Sequence, residues 1–144
     1  MNILWLQSAG CGGCTMSLLC AEDPNVLDLL EGAGLKLLWH PSLSEATGAE
    51  VRRMLDAILA GEQQLEILCV EGSILRGPNG TGRYHMLAGT GRPMMEWVRD
   101  LAGIASHVVA VGTCAAYGGM SSAGENLTDA VGLQYDGGHA GGVF

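Results

Sequence analysis

Positive charge is scarce in this chain of 144 residues, which has seven Lys and Arg against fifteen Asp and Glu and a formal net charge of −8. Because a nucleic-acid partner requires clustered basic side chains against its phosphates, this balance excludes nucleic-acid binding. Charge of either sign is low, since 15% of residues are charged against about 25% in an average soluble domain. So little charge indicates that another protein covers part of the exterior.

Long apolar segments are also missing. No stretch reaches the ~20 residues that a membrane-spanning helix needs, and strand-like sequence begins at Asn2 without a leader pattern before it. We therefore expect a cytoplasmic protein with no direct membrane span. Internal repeats and coiled-coil heptads are absent, and the length fits one domain.

A disulfide framework is the third absence. The five cysteines are an odd number in a chain expected to be intracellular: Cys11, Cys14, Cys20, Cys69 and Cys114. Metal binding or buried free thiols explain them better than disulfides do.

Short apolar runs alternate with helical patterns along the chain. Four runs, over residues 3–6, 35–39, 65–70 and 108–111, are predicted strands that are buried on both faces. Apolar residues at helical spacing predict helices over residues 51–59 and 94–101, the second with Pro93 at its start and Gly103 just past its end. Residues 15–21 and 26–30 are shorter helix candidates. This order predicts an α/β fold, a parallel sheet with helices on both faces.

Chemically reactive residues follow the predicted strands. Cys11 and Cys14 come after the first strand in Q-S-A-G-C-G-G-C-T, Glu71 after the third, and Cys114 after the fourth in G-T-C-A-A-Y-G-G. Ligands of open α/β sheets bind beyond the carboxyl ends of the strands. We therefore expect three thiols and one carboxylate to converge on one edge of the sheet.

The pair Cys11 and Cys14 lies on a turn that enters a helix, where backbone N–H groups favour thiolates. Gly12 and Gly13 leave room for a bulky group beside the backbone. The Cys-x-x-Cys motif alone fits a redox dithiol, zinc or an iron–sulfur cluster. Cys114 favours a metal centre, and the alternative is a pair of inert thiols in a tight turn.

The other cysteines and His40 have structural interpretations. Cys69 lies inside an apolar strand and is predicted to be buried. Cys20 ends the first helix, largely facing away from Cys14, and is predicted to pack. His40 ends the second strand in W-H-P-S, where we expect a capping or interface role.

Three segments together resemble the small subunit of [NiFe]-hydrogenases: L-W-L-Q-S-A-G-C-G-G-C-T-M-S-L-L, C-V-E-G-S and V-A-V-G-T-C-A-A-Y-G-G. The likeness extends over essentially the whole chain and is greatest to the cytoplasmic regulatory, hydrogen-sensing subunits and the related uptake-type group. It implies a flavodoxin-like, doubly wound parallel sheet. Residues 1–119 would form the cluster-binding domain. Residues 120–144, glycine-rich and aperiodic, would be a loop or a continuation toward a further cluster domain.

The resemblance also implies a site and its partners. Cys11, Cys14 and Cys114 would be three of the four thiolate ligands of a proximal [4Fe–4S] cluster. Glu71 and the backbone of Gly112 and Thr113 would tune its potential from outside the ligand sphere, with Gly12 and Gly13 beside it. A separate large subunit would carry the Ni–Fe centre, and a redox partner or a signalling kinase would lie downstream.

Departures from the family's pattern keep alternatives open. The family's fourth ligand, in a Gly-Cys-Pro segment, has no counterpart here, and Gly10 replaces a common Glu. Gly13 and Gly119 stand where some oxygen-tolerant members have extra cysteines, so an ordinary cubane is expected. One alternative is a partner-binding module without a complete cluster. Another is a cluster subunit of respiratory complex I, although those proteins have adjacent cysteines.

Overall fold

A four-stranded parallel sheet forms the centre of the computed structural model, which describes all residues from Met1 to Phe144. Its strands are β1 (Asn2–Gln7), β2 (Lys36–Trp39), β3 (Ile67–Glu71) and, later in the chain, β7 (His107–Val111). Their spatial order is β2-β1-β3-β7, and β1 pairs in parallel with both of its neighbours. The chain therefore moves outward on one side of β1 and then on the other, which is the flavodoxin-like order.

Helices cover both faces of this sheet. They are α1 (Gly13–Leu19), α2 (Val26–Gly32), α3 (Ala49–Leu59), α4 (Met94–Ile104) and α5 (Gly112–Tyr117). The larger core lies on one face, where Leu4, Leu68 and Val70 pack with residues of α3 and α4. On the other face Ile3, Trp5 and Cys69 form a small cluster that Leu18 of α1 and Leu30 of α2 contact. Side chains on opposite faces of β1 thus enter two cores of very different size.

Short elements link and extend this frame. Six two-residue strands are β4 (Ile74–Leu75), β5 (Met86–Leu87), β6 (Arg92–Pro93), β8 (Ala130–Val131), β9 (Tyr135–Asp136) and β10 (His139–Ala140), and a 3₁₀ turn spans Gly119–Ser122. β8 pairs with β4, so the C-terminal segment joins the core. Arg76 strengthens this attachment through ion pairs with Asp129 at 2.6 Å and Asp136 at 3.0 Å. Residues 120–144 bury Ala130, Val131, Leu133 and Val143.

The predicted α/β class and parallel sheet are confirmed, and each predicted strand overlaps one strand of the sheet. Two details of the second long helix are corrected. Pro93 is the N-cap rather than a helical residue, and α4 continues through Gly103 to Ile104. Helical hydrogen bonding continues past Gly103, since the Ala105 N–H donates to the Leu101 carbonyl at 2.9 Å. No helix is both long and apolar enough to cross a membrane.

The outer edge of the sheet is apolar and open. β7 is the last strand on its side, and Val108 and Val109 are 37% and 42% exposed. Val109 and Val111 line an apolar cavity of about 270 Å³ under α1 and α2. Val108 and Ala110 line a smaller one of about 110 Å³ against Leu133 and Phe144. β7 therefore has the composition of an interior strand at the position of an edge strand, and the prediction that residues 108–111 are buried on both faces is wrong.

Candidate metal centre

The candidate site lies where the carboxyl ends of β1 and β3 meet, at the point where the strand order reverses. The segments after these two strands are joined by backbone hydrogen bonds from Ser8 to Glu71 (2.7 Å), from Ala9 to Ser73 (3.1 Å) and from Ser73 to Ala9 (2.8 Å). Cys11 follows in the turn, and Cys14 lies in the first turn of α1. This junction is the place where ligands bind in open α/β sheets.

Cys114 reaches the same edge from β7. Gly112, with φ +82°, begins α5 directly after the strand, so the chain turns back at once and places Cys114 in the first turn of the helix. A side chain at Gly112 would collide with the Cys14 sulfur. This contact shows that the β7–α5 junction packs directly against the Cys14 thiol.

The three thiols share one electrostatic environment. Burial is the largest cause that raises the pKa of Cys14, and the charges of Glu71, Cys11 and Cys114 raise it further. Cys11 is exposed, whereas Cys14 and Cys114 are half-buried. The sequence prediction that these cysteines and Glu71 converge on one edge therefore agrees with the structure; their role as ligands stays a prediction.

Glycines make room around the sulfurs. A Cβ at Gly119, whose φ is +53°, would lie 2.7 Å from the Cys114 sulfur, and one at Gly13 would lie 3.1 Å from the Cys11 sulfur. The Gly13 N–H also donates to the Cys11 sulfur at 3.3 Å. Gly12 has a φ of +75° and provides the turn between the two cysteines. Side chains at these positions would occupy the space next to the thiols.

Glu71 is buried, with 2% of its surface exposed, and binds the cysteine turn. Its Oε1 accepts hydrogen bonds from the backbone N–H groups of Cys14 and Thr15, both at 3.1 Å. Its Oε2 accepts from the Trp5 indole N–H at 3.1 Å and from the Thr15 hydroxyl. Burial raises the pKa of Glu71, but the hydrogen bonds from Thr15, Trp5 and Cys14 outweigh it and hold that pKa below its usual value. The carboxylate is therefore charged and fixed in place.

The donor set fits a polynuclear cluster better than a single ion. No group of three or more His, Cys, Asp and Glu side chains is placed to hold one metal ion. Three thiols next to glycine backbone leave room for an iron–sulfur cluster, which is larger than a single ion and in which each cysteine binds a different iron. In a [4Fe–4S] cluster they would be three of the four thiolate ligands, and neither Cys20 nor Cys69 lies beside them.

Several functional contacts were not found by sequence reasoning. Thr15 and Trp5 donate hydrogen bonds to the Glu71 carboxylate. His40 contacts the Thr15 hydroxyl and the Trp5 ring. The available signals were the Thr that follows Cys14 and the Trp-His-Pro segment. Gly112 lies against the Cys14 sulfur and Thr113 is exposed; the role of their backbone in tuning a cluster stays a prediction.

The other two cysteines lie away from this site. Cys69 is buried in β3, as predicted. Cys20 is exposed, so the prediction that it packs is wrong. It caps the C-terminus of α1 with its backbone, and this position leaves its side chain in solvent.

A family model described as "NADH ubiquinone oxidoreductase, 20 Kd subunit" matches residues 11–141. The curated relatives include the hydrogenase-2 small chain of Escherichia coli (strain K12), which is 37% identical over 132 residues, 92% of this chain and 34% of that one. Among solved structures, the Ni-Fe-Se hydrogenase of Desulfomicrobium baculatum has a TM-score of 0.76 and 34% identity, over 92% of this chain and 49% of that chain. The actinobacterial-type NiFe-hydrogenase of Ralstonia eutropha H16 has a TM-score of 0.77 and 31% identity, over 98% and 46%. The chain thus spans about a third of the curated relative's length and just under half of the solved chains.

Proposed function

Since this chain belongs to the family of the 20 kDa NADH ubiquinone oxidoreductase subunit, which includes the hydrogenase small subunits, we propose that it is the electron-transferring iron–sulfur small subunit of a [NiFe]-hydrogenase. Its curated relatives are named as hydrogenase small chains. A large subunit with the Ni–Fe centre would be its partner. Electrons from the splitting of dihydrogen would pass through this chain, or return in the reverse direction.

The observation that carries the proposal is the convergence of Cys11, Cys14 and Cys114 at the switch point of the sheet. The charges of Cys11 and Cys114 both act on Cys14. Gly112 and Gly119, in the β7–α5 region, approach the sulfurs without side chains. A redox dithiol needs only two thiols, so the third, brought from 100 residues away, favours a cluster.

Each residue of the site has a distinct role in this proposal. Cys11, Cys14 and Cys114 would hold a [4Fe–4S] cluster, which supplies one-electron transfer when bound. Glu71 holds the N–H groups of Cys14 and Thr15 and so fixes the first turn of α1. The buried carboxylate also adds negative charge near the thiolates, which favours the oxidised state of a group bound there.

A hydrogen-sensing form of this function is a narrower proposal. It would couple slow turnover to a signalling kinase, and it rests on the sequence resemblance to regulatory subunits. Cytoplasmic location belongs to the same proposal, and cell fractionation tests it directly.

The exposed apolar strand β7 supports a second candidate. In that version the chain is a partner-binding module without a complete cluster, and its apolar surface contacts the large subunit. A cluster subunit of complex I type remains a third possibility within the same family. Because two glycines separate Cys11 from Cys14, the sequence favours a hydrogenase small subunit over a complex I subunit.

The test is to express the chain with its large subunit, purify the complex anaerobically, and measure iron, acid-labile sulfide and the EPR spectrum of the reduced sample. We expect about four irons and four sulfides per chain, and a signal that Cys11→Ala, Cys14→Ala and Cys114→Ala abolish. Cys20→Ala is the matched control, because Cys20 is exposed and away from the site. A complex that binds the large subunit without iron would support the partner-binding module.

A further inference from the structure

The strongest unassigned feature is the buried imidazole of His40, which is 1% exposed and lies behind the cysteine turn. Its backbone N–H donates to the Ser44 hydroxyl at 2.9 Å. Its ring lies against the Trp5 ring, with centroids 5.0 Å apart and planes tilted by 43°. The backbone of His40 is thus fixed by Ser44 and its ring packs on Trp5, and a buried ring nitrogen needs a partner.

Both ring nitrogens have partners, and these partners determine the tautomer. Nδ1 accepts a hydrogen bond from the Ser42 N–H at 3.0 Å, so Nδ1 carries no proton. The neutral ring then has its proton on Nε2, which lies 3.5 Å from the Thr15 hydroxyl oxygen. His40 is consequently the donor to Thr15. Burial also lowers the pKa of His40, in keeping with a neutral ring.

Because His40 donates to the Thr15 hydroxyl oxygen, the hydroxyl's own proton is directed to a different acceptor. A hydroxyl has one proton to donate and can accept as well. With Nε2–H of His40 on its oxygen, Thr15 directs its own proton to Oε2 of Glu71. The other carboxylate oxygen, Oε1, binds the N–H groups of Cys14 and Thr15. An ordered series of hydrogen bonds thus leads from His40 to the first turn of α1.

We propose that His40 is a positioning residue that acts through Thr15 and Glu71 to hold the backbone of the Cys14 turn in its ligand-binding conformation. The proposal rests on the proposed cluster-binding function for its purpose, but the hydrogen bonds belong to the protein alone. Imidazole is suited to this place because it accepts on one side from Ser42 and donates on the other to Thr15.

Amide hydrogen exchange in the metal-free chain of 144 residues tests the inference. His40→Phe keeps a ring of similar shape but has no donor, and His40→Gln restores an N–H near the position of Nε2. We expect exchange at the Cys14 and Thr15 amides to become roughly tenfold faster in His40→Phe, the effect of one lost hydrogen bond, and to return toward the wild-type rate in His40→Gln. The amides of Leu68 and Val70 in β3 report global stability, so the effect at Cys14 and Thr15 is counted beyond any change at these two amides.

A second measurement covers the case in which His40→Phe fails to fold. Long-range ¹H–¹⁵N spectra of the wild-type chain should show an unprotonated Nδ1 and a protonated Nε2. A proton on Nδ1, or equal exchange at Cys14 and Thr15 in the Phe and Gln variants, would overturn the inference. Because both readouts use protein without iron, they separate this inference from the cluster proposal, which fails when the complex binds no iron.

Discussion

At the scale of single residues, the carboxylate of Glu71 accepts four hydrogen bonds, from Trp5, Cys14 and twice from Thr15. In Glu71→Gln the amide oxygen can still accept from the backbone, but its NH₂ group would meet the Trp5 N–H donor. We expect the free energy of unfolding of the metal-free chain to fall by about 1–3 kcal/mol, the cost of an unpaired buried donor.

Urea denaturation measures this change. Glu62→Gln is the control, because Glu62 is exposed and its replacement should stay within about 0.5 kcal/mol of wild type. Equal stability of the two variants would show that the Glu71 charge contributes nothing to the fold.

The histidines predict a pH dependence of stability. Burial lowers the pKa of both His40 and His85 from the ordinary value of 6.5. Below pH 6.5 the unfolded chain takes up protons that the folded chain resists, so stability falls as the pH drops toward the folded-state values. Above 6.5 these rings are neutral in both states and add no slope.

Unfolding free energies at several pH values between 7.5 and 5 check this prediction. His85→Gln should flatten the decline, because the ring that resists protonation in the folded chain is then absent. Stability that rises toward pH 5 would contradict the assignment of neutral imidazoles at the buried His40 and the half-buried His85.

At this scale the sequence predicted which residues of the site lie together, but not the hydrogen bonds that join them. Cys11, Cys14, Cys114 and Glu71 could be placed on one edge because each follows a recognisable strand. The bonds among Thr15, Trp5 and His40 depend on the distance between β1 and the turn after β2, which no local pattern determines.

At the scale of elements, the junction of β7 and α5 is a backbone turn that only glycine accommodates. Gly112 has a φ of +82° and directly contacts the Cys14 sulfur. In Gly112→Ala the strained backbone should cost about 1–2 kcal/mol, and the new methyl group should displace the Cys14 thiol and lower the iron content of the complex.

Gly103→Ala is the matched control. Gly103 lies in α4 with open space around it, so alanine should stabilise the chain by about 0.5–1 kcal/mol and leave iron unchanged. Thermal unfolding and iron analysis measure the two effects. Normal iron in Gly112→Ala would mean that this turn is not part of the metal site.

The four main strands and the helices α1 to α4 could be predicted because apolar runs and helical spacing mark them. The six-residue α5 could not, since G-T-C-A-A-Y has no periodic apolar face. The two-residue strands are shorter than any periodic signal. The burial of Val131 and Leu133 was not foreseen, because the residues around them are polar and glycine-rich, and their attachment depends on Arg76 and β4.

At the scale of the whole molecule, the open edge at β7 predicts self-association. An apolar edge strand pairs readily with another chain, and Val109 is 42% exposed there. We expect Val109→Lys to reduce the aggregation of the isolated chain, as measured by light scattering at several concentrations.

Leu27→Lys is the control, because Leu27 is 65% exposed on α2 and does not line the cavity that Val109 shares with that helix. If both substitutions improved solubility equally, general charge rather than the β7 edge would explain the effect. Restored solubility on adding the large subunit would assign the edge to that interface.

The strand order has a consequence for biogenesis. β3 separates β1 from β7, so Cys114 can approach Cys11 and Cys14 only after the intervening strand is in place. At a synthesis rate of about 5–20 residues per second, the ribosome needs roughly 5 to 20 seconds to make the 100 residues between Cys14 and Cys114. During this interval the first two thiols emerge without the third. A group that binds all three thiols would therefore find them together only after Cys114 has left the ribosome, and until then Cys11 and Cys14 are open to oxidation as a free pair.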